Sequence, residues 1–342
     1  MTSEPGVIDK SQTDGSAIET RCGFIAVIGA PNAGKSTLVN ALVGAKVSIV
    51  THKVQTTRAR VRGVLVEDSV QMVFIDTPGI FSPRRKLDRA MVAAAWEGLD
   101  GADAGLLVID APAFAAVLEE EDGKGKATPA ARRAVADTRA ILDALDERAG
   151  GDSKDGAGFR IDLALNKIDK MARQKLLAVV GALKDRPCVG EVYLIAAETG
   201  DGVADFKDSL KARMPTGPFM YPEDQLSDIS DRLLAAEITR EKLFLRLHQE
   251  LPYELTVETT DWSRTARGEL RIEQTIFLSR DSHKSIVLGK GGQTIKAVGA
   301  AARAELIDLL GETTHLFLHA KVRENWSEEN ARLREMGLAP VG

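Results

Sequence analysis

Eight consecutive residues, Gly29-Ala30-Pro31-Asn32-Ala33-Gly34-Lys35-Ser36, combine small side chains with one ammonium and one hydroxyl. An apolar run at 24–28 precedes them, and a helical pattern through Leu38, Val39, Leu42 and Val43 follows. Strand, glycine-rich turn and helix together are the setting of a phosphate-binding loop. In such a turn successive backbone N–H groups converge on one anion. The new helix aims its unpaired N–H groups and positive dipole end at the same point. Lys35 brings a mobile positive charge to β- and γ-phosphates, and Ser36, with Thr37 beside it, offers a hydroxyl to Mg²⁺.

Two more motifs follow in an informative order. Alternating apolar residues at 61–66 and 70–75 predict a hairpin, and its second strand runs into Asp76-Thr77-Pro78-Gly79. An acidic residue at a strand's carboxyl end beside a phosphate loop can hold Mg²⁺ through water. Gly79 allows the backbone to come close to a γ-phosphate. The strand at 161–165 ends in Asn166-Lys167-Ile168-Asp169. A carboxylate there can accept two hydrogen bonds from the N1–H and 2-amino group of guanine, donors that adenine lacks, so discrimination can be large. After a strand at 192–195 comes Ala196-Ala197-Glu198, which resembles the Ser-Ala-Lys or Ser-Ala-Glu stretch of GTPases and by that resemblance implies that the Ala197 N–H meets the guanine O6. Ala196 stands where a loop-stabilising serine is usual, and a modest effect is expected from its absence. Between the first two motifs, Gln55-Thr56-Thr57-Arg58 lies in a polar loop at 45–60.

These motifs need strands that end at one edge. Further helices are expected at 91–99, 129–148 and 203–214, and a buried strand at 104–109. Alternating strands and helices predict a doubly wound parallel sheet covered on both faces, which binds ligands at its strands' carboxyl ends. The stretch 111–126, with its charges at 119–122, reads as solvated loop, and 149–158 as a second polar loop.

The chain has 342 residues, a hydrophobic fraction of 44% and a net charge of −5, enough for two domains and too acidic for wholesale coating by nucleic acid. Two cysteines far apart make no disulfide framework and fit a reducing cytosol. No run of about eighteen apolar residues is present, so no membrane span is expected, and the polar start has no apolar signal-like core.

Three prolines between 214 and 222 mark an extended linker. Beyond it Ser227 can cap a long helix to about 249, with Ile229, Leu233, Ala236, Leu243 and Leu247 on one face. Strands at 253–257 and 270–278 follow. Then comes Ile286-Val287-Leu288-Gly289-Lys290-Gly291-Gly292-Gln293-Thr294-Ile295-Lys296, a Gly-x-x-Gly loop between two helical segments. A strand at 316–322 and a helix at 327–336 complete the order of a type II KH domain. In that module the glycines admit a nucleic-acid backbone while neighbouring apolar residues line a groove for unpaired bases. From 278 to 304 the basic residues Arg280, Lys284, Lys290, Lys296 and Arg303 face one acid, Asp281.

From about residue 23 to 337 the chain resembles the Era family of bacterial GTPases. The marks are the phosphate loop, Gln55-Thr56-Thr57-Arg58, and Glu237-Ile238-x-Arg240-Glu241-Lys242 ahead of Leu251-Pro252-Tyr253. Ala33 departs from the family's usual valine. The polar composition of residues 1–20, rich in Ser, Thr, Asp and Gly, predicts a disordered tail, and the prolines a linker over 215–226; the resemblance implies an Era-type GTP-binding domain over 21–214 and a type II KH domain over 227–342. It implies GTP/GDP and Mg²⁺ as ligands, with Ser36, Asp76 and Thr57 on the metal and Thr56 as the competitor of Thr57. It further implies that the protein binds the 3′ end of 16S ribosomal RNA and assists assembly of the 30S subunit. In the family's image it is a cytoplasmic monomer with peripheral inner-membrane association. Lys284, Ile286, Val287, Leu288, Gly289, Lys290, Gly291, Gly292, Ile295 and Lys296 are the expected RNA contacts. Ile80 occupies the place of a water-orienting glutamine, so slow hydrolysis is expected. The alternatives are an RNA scaffold that senses nucleotide with negligible turnover, and an ATP-driven RNA enzyme.

Overall fold

The computed structural model describes residues 19–339 apart from 52, 54, 55, 59, 84, 151–159, 248–250 and 325. The expected tail, Gln55 and most of the loop at 149–158 lie outside the described residues. The first sheet is built from β1 (Arg21–Ile28), β2 (Val61–Glu67), β3 (Val70–Asp76), β4 (Ala104–Asp110), β5 (Ile161–Asn166) and β6 (Val189–Leu194). Its order is β2-β3-β1-β4-β5-β6. Only β2 runs antiparallel to its neighbour. The interior strands are mostly apolar because both faces are covered: every residue of β3 and β5 is buried. Helices α1 (Lys35–Val43) and α6 (Val203–Ala212) cover one face; α2 (Lys86–Asp100), α3 (Ala111–Glu121), α4 (Pro129–Ala149) and α5 (Arg173–Leu183) cover the other. Strands β3 and β4 lie on opposite sides of β1, so the loop after β1 leaves the sheet at a topological switch point.

The helix α3 corrects the expectation of a loop at 111–126. Asp110 caps it by accepting from the Ala113 N–H at 3.0 Å, and Pro112 fits its first turn. Its terminal acids do not repel one another into solution. Glu120 takes a two-pronged bond from Arg132, and Glu121 one from Arg139, both on α4.

The linker is strapped to the sheet's edge. Gln71 Oε1 accepts from the Met220 and Tyr221 N–H groups, and the Val64 N–H donates to Leu226 O. The long helix α7 (Asp231–Arg246) begins later than expected. Ser230, not Ser227, caps it, accepting from the Leu233 N–H, while Ser227 accepts from the Ile229 N–H. A second sheet, β7 (Leu255–Arg264), β8 (Leu270–Leu278) and β9 (Thr314–Val322), has β8 in its centre. β7 pairs antiparallel with β8, and β9 parallel. A parallel neighbour requires a crossover, and α8 (Asp281–Leu288) with α9 (Gln293–Leu310) supplies it around the Gly-x-x-Gly turn. A last short helix, α10 (Asn330–Glu335), packs back toward α2 through Trp326, Leu333 and Leu338.

Candidate nucleotide site and the loops that reach it

The phosphate loop needs backbone angles that few side chains allow. Gly34 has φ +102° and Asn32 φ +64°. A Cβ at Gly34 would lie 2.1 Å from Asn166 Nδ2. The close approach has a purpose: Asn166 Nδ2 donates to Ala33 O at 2.9 Å, and its Oδ1 accepts from the N–H groups of Lys167 and Ala197. Lys167 adds a second tie, its Nζ donating to Asn32 O at 2.7 Å and pairing with Asp110. Asn166 and Lys167 therefore bolt the loop after β1 to the loops after β5 and β6. Asp169 stands clear of this network, exposed, and accepts no hydrogen bond from the described residues.

Lys35 is folded inward. Its Nζ donates to Gly29 O at 3.1 Å and Ala30 O at 3.0 Å. Burial pulls its pKa down to about 8, against the opposing pull of Asp76. Asp76 is fully buried, and burial raises its carboxyl's pKa against the effect of Ser36, Lys35, Ser48 and Thr57. Ser36 Oγ lies 2.8 Å from Thr57 Oγ1, which donates to Asp76 Oδ2 at 3.2 Å. Thr56 turns away, its hydroxyl bonding Thr51 and Lys53 O. The oxygens of Ser36, Thr57 and Asp76 thus converge, and Asp76 Oδ1 has no hydrogen-bond partner among the described residues. A buried carboxylate oxygen left unpaired, among hard oxygen donors, fits a divalent cation such as Mg²⁺.

Several expected site residues do other work in this arrangement. The Thr77 hydroxyl donates to Val27 O and ties the turn to β1. Pro31 packs against Gly79, where a Cβ would lie 3.0 Å from Pro31 Cγ, and Pro78 is buried in the same turn. Ile80 is buried in the core under the sheet. The Ala197 N–H already serves Asn166, so a base oxygen there would share it. Ala196 compensates for its missing hydroxyl through the backbone: its N–H donates to Asp201 O, and its carbonyl accepts from Thr199 and Gly200. Glu198 accepts from Lys170 at 2.6 Å.

At the Gly-x-x-Gly turn Gly289, Gly291 and Gly292 have φ of +71°, +60° and +77°. No atom lies within 4 Å of a Cβ placed at Gly291. Ile286, Lys290 and Lys296 are exposed, and Lys284, Leu288 and Ile295 half-buried. Val287 corrects the expected groove: it is fully buried in the domain core with Leu278, Ile276 and Val298. The helix α8 must seat one apolar residue on the sheet, and Val287 is that residue.

The described residues of the loop before β2 rest on the second domain. Lys46 pairs with Glu241 of α7 at 2.7 Å and Glu305 of α9 at 2.5 Å. The Val50 N–H donates to Glu241 Oε1, and Lys53 to Phe244 O and Leu247 O. Arg240 donates to Thr56 O, directly before Thr57. Directly after it, buried Arg58 donates to Leu255 O at 2.8 Å and stacks near Phe244 and Trp326. Arg240 and Glu241 are buried, and their roles escaped the sequence reading. Their signal was a charged pair next to the apolar face of α7, on a helix with two faces to cover.

This sheet, with three loops converging at its switch point and a small α+β unit behind, defines a P-loop GTPase with an appended KH domain. A family model described as 50S ribosome-binding GTPase matches residues 24–167, and a KH domain model matches 250–327. The GTPase Era of Dinoroseobacter shibae is 53% identical over 94% of this chain and 97% of its own length. That of Caulobacter vibrioides is 52% identical over 94% and 97%. Among solved structures, an Aquifex aeolicus Era variant bound to GDP·AlF4⁻ has a TM-score of 0.79 at 32% identity, covering 94% of this chain and all of that one. An Era complex with MgGDPNP and nucleotides 1506–1542 of 16S ribosomal RNA has a TM-score of 0.80 at 31% identity, covering 94% and 99%. The chain belongs to the Era family of GTPases.

Proposed function

We propose that this protein binds GTP with Mg²⁺, hydrolyses it slowly to GDP and phosphate, and binds the 3′ end of 16S ribosomal RNA through its KH domain during 30S assembly. The observation that carries the nucleotide reading is the convergence of Ser36, Thr57 and Asp76 in front of buried Lys35. In this reading residues 29–37 and 76–79 cradle the phosphates, Asp169 selects guanine, and Asn166 and Lys167 hold the two loops in register. Mg²⁺, held by Ser36, Thr57 and Asp76, would neutralise phosphate charge. Thr57, and not Thr56, is favoured because only its hydroxyl reaches the cluster. Lys35 would exchange its two carbonyl partners for phosphate oxygens. Ile80 cannot orient water, which supports intrinsic turnover of about 10⁻⁴ to 10⁻² s⁻¹ and acceleration by an external group.

The RNA reading rests on the family's solved complex and on the open turn at Gly291 with exposed Lys290 and Lys296. We further propose a cytoplasmic monomer with peripheral membrane association, on the resemblance of the sequence motifs alone; no described helix is long and apolar enough to cross a membrane. The change of sheet and the strapped linker support the division at 214 and 226. Titration of GTP, ATP and a 16S 3′-end fragment tests the proposal. Equal affinity for ATP and GTP would overturn the base assignment, and no preference for that fragment over a scrambled one would overturn the RNA assignment.

A further inference from the structure

The loop before β2 carries an arginine in a place that suits an apolar side chain better. Arg58 is 2% exposed. Its Nη1 donates to Leu255 O at 2.8 Å, whereas Nε and Nη2 have no hydrogen-bond partner among the described residues. The guanidinium lies 5.9 Å from the centre of the Phe244 ring and 5.4 Å from that of Trp326, and Arg240 addresses the same Phe244 ring at 5.0 Å. Two carboxylates whose charge favours Arg58 are engaged elsewhere, Glu237 with Arg240 and Glu254 with Arg85. Burial, and then the like charge of Arg240, pull its pKa down to about 9. A buried charge short of partners is costly, and a well-packed apolar residue would fill the place without that cost. The groups that hold the guanidinium, Leu255, Phe244 and Trp326, all belong to the second domain, while its backbone belongs to the first and follows Thr57 directly. Separation of the domains would therefore leave a charged, unpaired arginine beside the nucleotide site.

We propose that Arg58 is an arginine finger held in reserve: when RNA draws the second domain off it, its guanidinium swings to the γ-phosphate of GTP. The proposal deepens the GTPase reading and rests on it. Adjacent α-carbons are about 3.8 Å apart, so Arg58 rides on the same backbone segment as Thr57, whose hydroxyl meets Ser36 and Asp76. An arginine finger can be supplied by the GTPase's own chain. In the step it serves, a water oxygen bonds to the γ-phosphorus as the bond to the β–γ bridging oxygen breaks. That oxygen keeps the electron pair, the water's proton leaves to phosphate, and GDP and inorganic phosphate result. The planar guanidinium donates to the bridging and γ-oxygens and offsets the charge that grows on them. Buried Ile80 cannot supply such a group. The accelerating group then belongs to this chain, and only its release is external.

The test is single-turnover GTP hydrolysis with Mg²⁺, without and with a saturating 16S 3′-end fragment, on the native protein, Arg58→Met and Arg58→Lys. Affinities for GDP·AlF4⁻ and for a non-hydrolysable GTP analogue are read on the same proteins with the fragment present. The fragment should accelerate the native protein, toward the about 10³ to 10⁵ that a complete finger supplies, and should not accelerate Arg58→Met. Arg58→Met should lose about 10²- to 10³-fold in affinity for GDP·AlF4⁻ and keep native affinity for the analogue, because the lost donors act only on charge that develops in the transition state. Arg58→Lys, charged but without the fork, should recover part of both losses. Native acceleration in Arg58→Met would overturn the proposal, as would a native protein that the fragment leaves unaccelerated. So would a lost acceleration matched by an equal loss of analogue or RNA affinity, which marks a brace between the domains. A native protein that hydrolyses no GTP in either condition would instead overturn the GTPase reading on which this rests.

Discussion

The phosphate loop and the Gly-x-x-Gly turn are both glycine-rich ends of strands or helices, yet they are built in opposite ways. At Gly34 and Gly29 an added Cβ would meet Asn166 Nδ2 at 2.1 Å and Val108 O at 2.4 Å. At Gly291 it would meet nothing within 4 Å. In the first loop glycine is required by the protein itself, because three loops are bolted together there. In the second, Gly289 is closed in by Thr294, with a Cβ 2.2 Å from its Oγ1, but at Gly291 φ of +60° is the local demand, and the bare surface there suits a ligand's approach. A small triphosphate calls for a cradle organised before it arrives, whereas an RNA strand calls for an accessible ledge.

The largest effects should come from breaking the built cradle. Gly34→Ala meets both a strained φ and the Asn166 amide, so nucleotide binding should fall below detection in a fluorescent-GDP titration. The melting temperature should drop as well, since strained non-glycine positions cost about 1–3 kcal/mol. Gly291→Ala meets only the strain, about 1–2 kcal/mol, and should keep native GDP affinity. Equal damage to GDP binding from the two variants would erase the contrast.

Next in size is the base. Asp169→Asn removes two charge-assisted hydrogen bonds of about 1.5–3 kcal/mol each, so GTP affinity should fall by about 10² to 10⁴. Xanthosine triphosphate, with an oxo group at position 2, should gain, because an amide can donate to it. A smaller loss follows at the ledge. Lys290→Asp with Gly291→Asp should weaken binding of a 16S 3′-end fragment by about 10- to 100-fold through phosphate repulsion, with GTP binding unchanged. Filter binding at one salt concentration reads it; an altered GDP affinity would show that the two sites are less separate than their geometry.

The same contrast governs what was legible in the sequence. The phosphate loop, Asp76 and Asn166 were readable because short motifs carry their own geometry. The type II order was readable from element sequence, and β8 matches its expected bounds. Helix α3 was not, because Glu119 to Asp122 looks like a solvated charge run until Arg132 and Arg139 of α4 stand opposite. Val287 was misplaced because a helix of eight residues between two open ends gives too short a period to tell core from groove. Arg240 and Glu241 were quoted without a role, since buried charge makes sense only with its distant partners, Thr56 and Lys46. The two domains have a direct route of communication besides the linker, because the loop before β2 lies on α7 and α9 through Lys46 and Val50.

That route yields the smallest and most discriminating effect. Helix α9 starts directly after Gly292, the last glycine of the turn, and carries Glu305 toward its far end. Glu305 pairs with Lys46 at the head of the mobile loop and with Lys242 of α7. Ordering of Thr57 by nucleotide should therefore bias the placement of α9, and RNA on the turn should bias Thr57 in return. Coupling of binding sites is reciprocal and typically about 1–3 kcal/mol, so a non-hydrolysable GTP analogue should raise RNA affinity 5- to 150-fold over GDP. Glu305→Gln keeps the shape and removes the charge. Its carboxylate is partly exposed, so the strut is worth about 0.5–1 kcal/mol after solvent screening, and the ratio should shrink by about 2- to 5-fold. RNA affinity in the GDP form should stay within error of native, because Glu305 is distant in sequence from the basic residues of the turn. Isothermal titration of one RNA fragment against both nucleotide forms of both proteins gives the four affinities. A native ratio of one would mean that the domains are only tethered. A native ratio above five that Glu305→Gln leaves intact would move the coupling to the Arg240–Thr56 and Arg58–Leu255 contacts, which tie the loop to the second domain on either side of Thr57.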